Sequence, residues 1–277
     1  MALSGDGADE MFAGYNKHRA EYSARYQLLT NLGMTMLYPI AALLPSSRNS
    51  NLGNKANQLK KYTSGLWLSR ENRYWQWAGF TTDRDLYRLI GDGTHNTVNE
   101  RMDLLKGLEV VKKTFTAKIR RGSYMNDVLN SDVINVLQGD MLVKTDRLSM
   151  RHGLEIRPPF LDPEMIQLAK SLPSSAKITR FSRKKILKDA CLDLLPGEIF
   201  TRRKQGFEVP LLQWFRGDLR GLIDELLDEK FLKEQGLFNP EEVKNIRKQL
   251  HSNNPGDTAA RIWGLIVFQS WWKKYLG

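Results

Sequence analysis

Apolar residues along this chain recur at three- and four-residue intervals, and the strict alternation that a half-buried strand requires is almost absent. That period predicts a mostly α protein. Helices are expected over about Ala8 to Tyr26, Lys55 to Ser64, Leu66 to Trp77, Thr82 to Leu89, Val98 to Lys106 and Leu108 to Arg121. Further ones are expected over Met125 to Leu137, Gly139 to His152, Arg183 to Leu194, Pro240 to His251 and Thr258 to Tyr275. The last places Trp263, Val267 and Trp271 on one face, as core packing or as interface anchors. Arg157-Pro158-Pro159-Phe160-Leu161-Asp162-Pro163 interrupts the series, because each proline disfavours helical geometry in the residue before it. Asp162 then caps a helix that begins on Pro163.

With 277 residues the chain can bury a full core. No apolar run approaches the roughly 18 residues of a membrane span. The most apolar stretch, Met34 to Leu44, is short and holds Pro39, so a buried helical segment is expected there. The single cysteine, Cys191, rules out an internal disulfide and lies in an amphipathic pattern that points to the core. No basic and apolar leader precedes the first motif, so a cytoplasmic protein is expected. The net charge of +11 is compatible with nucleic acid, an anionic membrane or a phosphorylated small molecule, and does not choose among them.

Chemistry concentrates first at Leu3-Ser4-Gly5-Asp6-Gly7-Ala8-Asp9-Glu10. Glycines flanking an acid permit a tight turn with positive φ. Asp6, Asp9 and Glu10 read either as helix-capping acids or as part of a magnesium or phosphate site. Lys144, Arg147 and Arg151 share a helix face, which is ordinarily a solvated basic stripe. Glu155 and Arg157, just before the proline corner, either hold a substrate or fix the corner. Lys184 opens a helix and Lys204 lies in the basic loop Arg202-Arg203-Lys204-Gln205-Gly206-Phe207. Each is a compact charge suited to phosphate or to developing negative charge, and equally an ordinary surface lysine. None of the four histidines has metal-ligand spacing.

Taken in order, Leu3 to Glu10, then Glu155-Ile156-Arg157-Pro158-Pro159-Phe160-Leu161-Asp162, then Lys204-Gln205-Gly206-Phe207 resemble the synthetase domain of glutamine-hydrolysing asparagine synthetases. The resemblance implies the C-terminal portion of an α/β adenine-nucleotide-hydrolase-like domain that lacks most of its parallel sheet. Residues 1–30 would end the nucleotide-binding part and 31–277 would form the helical part. It implies ATP and Mg²⁺ as cofactors, and ATP with aspartate or another carboxylic acid as small-molecule partners. A carboxylate would be adenylated with release of pyrophosphate, and ammonia from an upstream glutaminase domain would attack the acyl-adenylate. On that pattern Asp9 would help hold the metal, and Ser4, Gly5 and Gly7 would shape the turn. Lys184 and Lys204 would face the phosphates, with Lys144 and Arg147 on the matching basic helix. Asp6 stands where family members often carry glutamate, and its role would be that of a base or a positioner. Ala13 replaces the first glycine of the usual Phe-Gly-Gly-Tyr.

The family's Ser-Gly-Gly-x-Asp-Ser loop does not occur in this sequence. The chain is therefore expected to begin inside a longer protein and to be inactive alone. Two rival readings are a non-catalytic partner subunit of the same fold and a basic helical module for RNA, the latter unsupported by any RNA-binding signature. A homodimer is compatible with the sequence; a membrane partner is not expected.

Overall fold

The computed structural model describes residues 1–45, 51–90, 98–119, 124–201 and 209–276. Helices dominate, as the apolar period requires, and the strands described are two residues each. The chain divides into two compact units, one of Met1–Gly33, Leu68–Trp75 and Lys113–Lys204, the other of Met34–Trp67, Gln76–Lys112 and Gln205–Gly277.

In the first unit, strand Ala2–Leu3 (β1) runs parallel to Ile156–Arg157 (β2), with Ala2 opposite Ile156 and Leu3 opposite Arg157. The pairing extends beyond the strands, because the Ala2 N–H donates to the Glu155 carbonyl at 2.8 Å and the Ser4 N–H to the Arg157 carbonyl at 3.1 Å. The expected helix from Ala8 to Tyr26 is two helices, Ala8–Met11 and Asn16–Tyr26. Ala13 between them has φ 61°, the left-handed region, and a helix cannot continue through it. Beyond the break His18 starts the second helix by accepting, at Nδ1, the Tyr15 N–H at 3.3 Å.

The two helices expected between Met125 and His152 are one continuous element. It runs through Asn126–Asp132, a π-helical stretch Val133–Met141, and Leu142–Met150. Gly139 sits within it, a weak helix former whose cost of about 1 kcal/mol does not end a helix. The same holds for Val98–Thr116, which passes through Gly107. The Asp162 cap is present, its Oδ1 accepting the Glu164 N–H at 2.9 Å ahead of helix Pro163–Ser171.

The core of this unit is charged as well as apolar. Phe12, Met125, Val128 and Ile178 are fully buried. Beside them Glu21 accepts two bonds from Arg73, each of 2.7 Å, and one from Arg25 at 2.6 Å. Burial alone would raise the Glu21 carboxyl; the two guanidiniums outweigh it and hold the group below the ordinary carboxylate range. Arg25 also bridges to Asp127 at 3.0 Å.

In the second unit, helices Leu211–Arg216, Arg220–Leu226, Pro240–Leu250 and Thr258–Tyr275 enclose Phe215, Leu227, Leu250 and Ile262. Gln269 and Ile266 mark the inward side of the last helix, and Trp263, Val267 and Trp271 share its half-exposed outer side. The tryptophans therefore do not fill this core. Asp257 pairs with Lys61 at 2.6 Å, tying Thr258–Tyr275 to helix Asn51–Gly65.

Two expectations of burial are corrected. Met34 to Leu44 is helical, within Leu28–Met36 and Tyr38–Leu43, but exposed: Met36, Ile40 and Leu43 are open to solvent and Ala41 alone of the stretch is buried. Pro39 at the start of Tyr38–Leu43 splits the stretch into two short rods with divided apolar faces. Cys191 is half-buried and belongs to no core cluster, because helix Lys185–Ala190 ends just before it.

Candidate active site

The turn Ser4–Gly7 leaves the end of β1 and enters helix Ala8–Met11 through Gly7, at φ 91°. A Cβ there would come within 2.6 Å of Leu161 Cδ2, so glycine is required by both conformation and space. Leu161 belongs to the proline corner, which is thereby packed against the turn, and Phe160 meets Phe12 edge to face at 6.1 Å. Parallel pairing of β1 with β2 and this packing bring the first two sequence motifs together.

Lys184 arrives from elsewhere in the chain. A tight turn closed by the Thr179 N–H on the Ser182 carbonyl at 2.8 Å reverses the backbone. Lys184 follows in the left-handed region at φ 53°, with its N–H on the Phe12 carbonyl at 3.1 Å. The helix expected from Arg183 accordingly begins at Lys185, and Ser182 does not cap it. From this anchored backbone the Lys184 ammonium reaches Asp9 Oδ1 at 3.0 Å, with both side chains about a quarter to a third exposed. Gly14 lies against this pair: a Cβ on it would sit 1.6 Å from Asp9 Oδ1 and 2.4 Å from Lys184 Cε. Arg183 fastens the same loop, donating to the Gly14 carbonyl at 2.9 Å and to Asn16 Oδ1 at 2.7 Å.

The other candidates are placed less centrally. Asp6 folds back on its own turn, its Oδ2 accepting the Ser4 hydroxyl at 3.0 Å. Glu155 and Arg157 form an exposed ion pair of 2.8 Å flanking β2. Lys144 and Arg147 lie exposed on Leu142–Met150, and neither forms an ion pair among the described residues. Lys204 and its loop, and the loop expected at Gly91 to Thr94, lie outside the described residues.

Sequence reasoning missed a polar network beneath the turn. Asp132, fully buried in Asn126–Asp132, accepts from Tyr74 OH at 2.6 Å and Lys17 Nζ at 2.7 Å, and lies 2.6 Å from His18 Nε2. Because His18 Nδ1 accepts a backbone N–H, the ring proton belongs on Nε2 and faces Asp132. Burial lowers the His18 pKa more than Asp132 raises it, so the ring is neutral. Burial works against the Asp132 carboxylate too, but His18 and Lys17 hold its pKa low. Glu10, buried, accepts the Tyr15 hydroxyl. The available signal was an acid, Asp132, at helical spacing from Val128 and Leu129, since a buried acid needs partners.

Among the described residues no three His, Cys, Asp or Glu side chains cluster as a ligand set. Asp9 supplies one partly exposed hard carboxylate, which suits Mg²⁺, an ion that commonly takes one or two protein carboxylates and completes its shell with phosphate oxygens and water.

A sequence model described as asparagine synthase matches residues 1–273, and the chain belongs to that family. It is similar to asparagine synthetase [glutamine-hydrolyzing] 1 of Bacillus subtilis (strain 168), with 26% identity over 278 residues, 98% of this chain and 40% of the relative. A Mycobacterium bovis protein with a provisional asparagine synthetase [glutamine-hydrolyzing] name is 27% identical over 281 residues, covering 98% of this chain and 39% of its own length. Asparagine synthetase [glutamine-hydrolyzing] of Gallus gallus is 34% identical over 113 residues, 37% of this chain and 20% of the relative. The chain thus spans about 40% of the length of the relatives it matches throughout. No solved structure matches.

Proposed function

We propose that this chain is the C-terminal part of the synthetase half of an ATP-dependent amidotransferase, which converts a carboxylate such as aspartate to its amide with glutamine-derived ammonia. The observation that carries the reading is the Asp9–Lys184 pair at 3.0 Å, seated beside the Ser4–Gly7 turn. An anion and a cation held together at one surface match a metal–phosphate complex, itself a cation and an anion. On binding, Asp9 would exchange its ammonium for Mg²⁺ and Lys184 its carboxylate for a phosphate oxygen. The metal would supply charge neutralisation across the phosphates. Lys184, with Lys204, would stabilise the charge that grows on the departing pyrophosphate. Asp6, held by Ser4, would orient the attacking amine or take its proton. The Ser4, Gly5 and Gly7 backbone, with Lys144 and Arg147 on the neighbouring helix, would complete the phosphate surroundings. Glu155 and Arg157 would fix the corner.

Cytoplasmic activity and an upstream glutaminase domain are parts of this same proposal. So is inactivity of the isolated chain, for want of the Ser-Gly-Gly-x-Asp-Ser loop. No described helix is long and apolar enough to cross a membrane. The deciding experiment joins the natural upstream sequence to this chain and measures pyrophosphate release with and without aspartate. Carboxylate-dependent release that falls at least 100-fold (~3 kcal/mol of lost transition-state stabilisation) in Lys184→Ala supports the proposal. Absence of any carboxylate-dependent turnover overturns it. The half-exposed Trp263 and Trp271 favour one second reading, a partner subunit docking through that face. Full activity of the extended chain as a monomer would exclude it.

A further inference from the structure

Among the described residues, Lys177 is the least accommodated buried charge. It belongs to helix Ser174–Lys177 with 3% of the residue exposed, and among the described residues its ammonium has one hydrogen-bond partner, the neutral Asn126 Oδ1 at 3.1 Å. Asn126 is itself fixed, its Nδ2 donating to the Leu172 carbonyl at 3.2 Å. The other buried charges described in this unit have opposite charges or a hydroxyl against them; Lys177 has none. A buried ammonium without a counter-charge carries a desolvation penalty that nothing here repays.

The same lysine lines a cavity of about 250 Å³. The walls are apolar, with Met11, Leu129, Leu161, Ile166 and Ala169, and the polar groups are amides and a second lysine, Lys170. No aspartate or glutamate lines it among the described residues. Val133 and Leu137 come to this wall from the π-helical stretch, a rare widened turn that often marks a functional place. A mostly apolar chamber of small volume with a few convergent polar groups is the usual build of a small-molecule site.

We propose that this cavity is a binding site for a small monocarboxylate with an apolar body, the carboxylate pairing with the Lys177 ammonium and the body lying against Leu129, Leu161 and Ile166. The chamber takes one negative charge at depth, since Lys177 is the buried lysine of its lining, Lys170 is exposed to solvent, and no acid lines it among the described residues. It takes an apolar tail, since most of its lining is aliphatic, Leu129, Leu161 and Ile166 among it. A dicarboxylate such as aspartate suits it poorly, because the second charge and the amine would have to be stripped of water against aliphatic walls. The site is separate from the Asp9–Lys184 pair, and the inference does not rest on the ligase reading. The burial of Lys177 supports it: desolvation lowers the ammonium's pKa to about 8, and a bound carboxylate would reverse that cost.

Isothermal titration of the chain with hexanoate, hexanamide, acetate and aspartate tests the assignment. Hexanoate is expected to bind at least tenfold more tightly than each of the other three. Lys177→Met should remove the preference for hexanoate over hexanamide. Ala169→Leu, which fills the chamber and leaves Lys177 in place, should weaken hexanoate at least tenfold. Equal binding of acid and amide, unchanged hexanoate binding in Lys177→Met, or no hexanoate binding at all would overturn the proposal. Aspartate binding as tight as hexanoate would overturn it too, by making the chamber a pocket for polar dicarboxylates.

Discussion

Gly14 lies so close to Asp9 that a single added carbon would stand 1.6 Å from Oδ1. The salt bridge from Asp9 to Lys184 therefore exists only because position 14 carries no side chain. Gly14→Ala must push the pair apart, at a cost of about 1 to 3 kcal/mol for overpacking. Urea denaturation should show that loss. In the upstream-extended protein, carboxylate-dependent pyrophosphate release should fall with it. An alanine variant as stable and active as the parent would show that the pair is not needed.

Ala13 tests the neighbouring strain. It is fully buried at φ 61°, where a Cβ costs roughly 1 to 2 kcal/mol. Ala13→Gly relieves this strain but loses a buried methyl worth about 0.8 kcal/mol and adds freedom to the unfolded chain. The two effects nearly cancel, so the glycine variant should lie within about 1 kcal/mol of the parent. Ala13→Val has no such compensation and should lose 3 kcal/mol or more, on the order expected for a branched side chain at positive φ in a filled core. Denaturation midpoints of the two variants check both signs.

How much of this was legible beforehand depends on the range of the interaction. The Asp162 cap is local and stands where the sequence put it, and the helical periods, equally local, give the helices themselves but not all of their ends. The break at Ala13 was hidden because an alanine gives no hint of left-handed backbone; it is imposed by the Asp9, Gly14 and Lys184 contacts made later. Asp9 and Lys184 were both legible as charged candidates, but their meeting depends on a turn at 179–182 that carries no glycine or proline. The exposed stretch Met34 to Leu44 shows the converse: apolar content predicts a wish for burial, and only the fold says whether anything answers it.

His18 and Asp132 set a prediction in acid. The folded pKa of His18 lies below its ordinary 6.5, so as pH falls below 6.5 the unfolded chain takes up a proton that the folded one refuses. Stability contributed by this group is complete above 6.5 and declines below it. His18→Gln, which keeps an acceptor and a donor without a titrating ring, should flatten the stability profile below pH 6.5. Asp132→Asn should cost about 3 to 5 kcal/mol at pH 7, because Lys17 loses its counter-charge in the interior. Urea unfolding across pH measures both.

Lys177 has the opposite alkaline signature. Its folded pKa of about 8 lies below the ordinary 10.5. Between those values the unfolded chain holds a proton that the folded chain has released, so this group makes stability rise with pH through the window and stay level on either side. At pH 7 the ammonium is charged in both states, and its burial against Asn126 is a net loss. Lys177→Met keeps the length of the side chain and removes the charge, so it should stabilise the protein at pH 7 by on the order of 1 to 3 kcal/mol. The difference between parent and variant should shrink as pH is raised from 8 towards 10.5, whatever the tyrosines and other lysines do, because they are common to both. A variant less stable than the parent at pH 7 would mean that the ammonium already has a counter-charge in solution. In the expected case, with the variant the more stable, hexanoate added to the parent should raise its stability by mass action and narrow the gap from the other side.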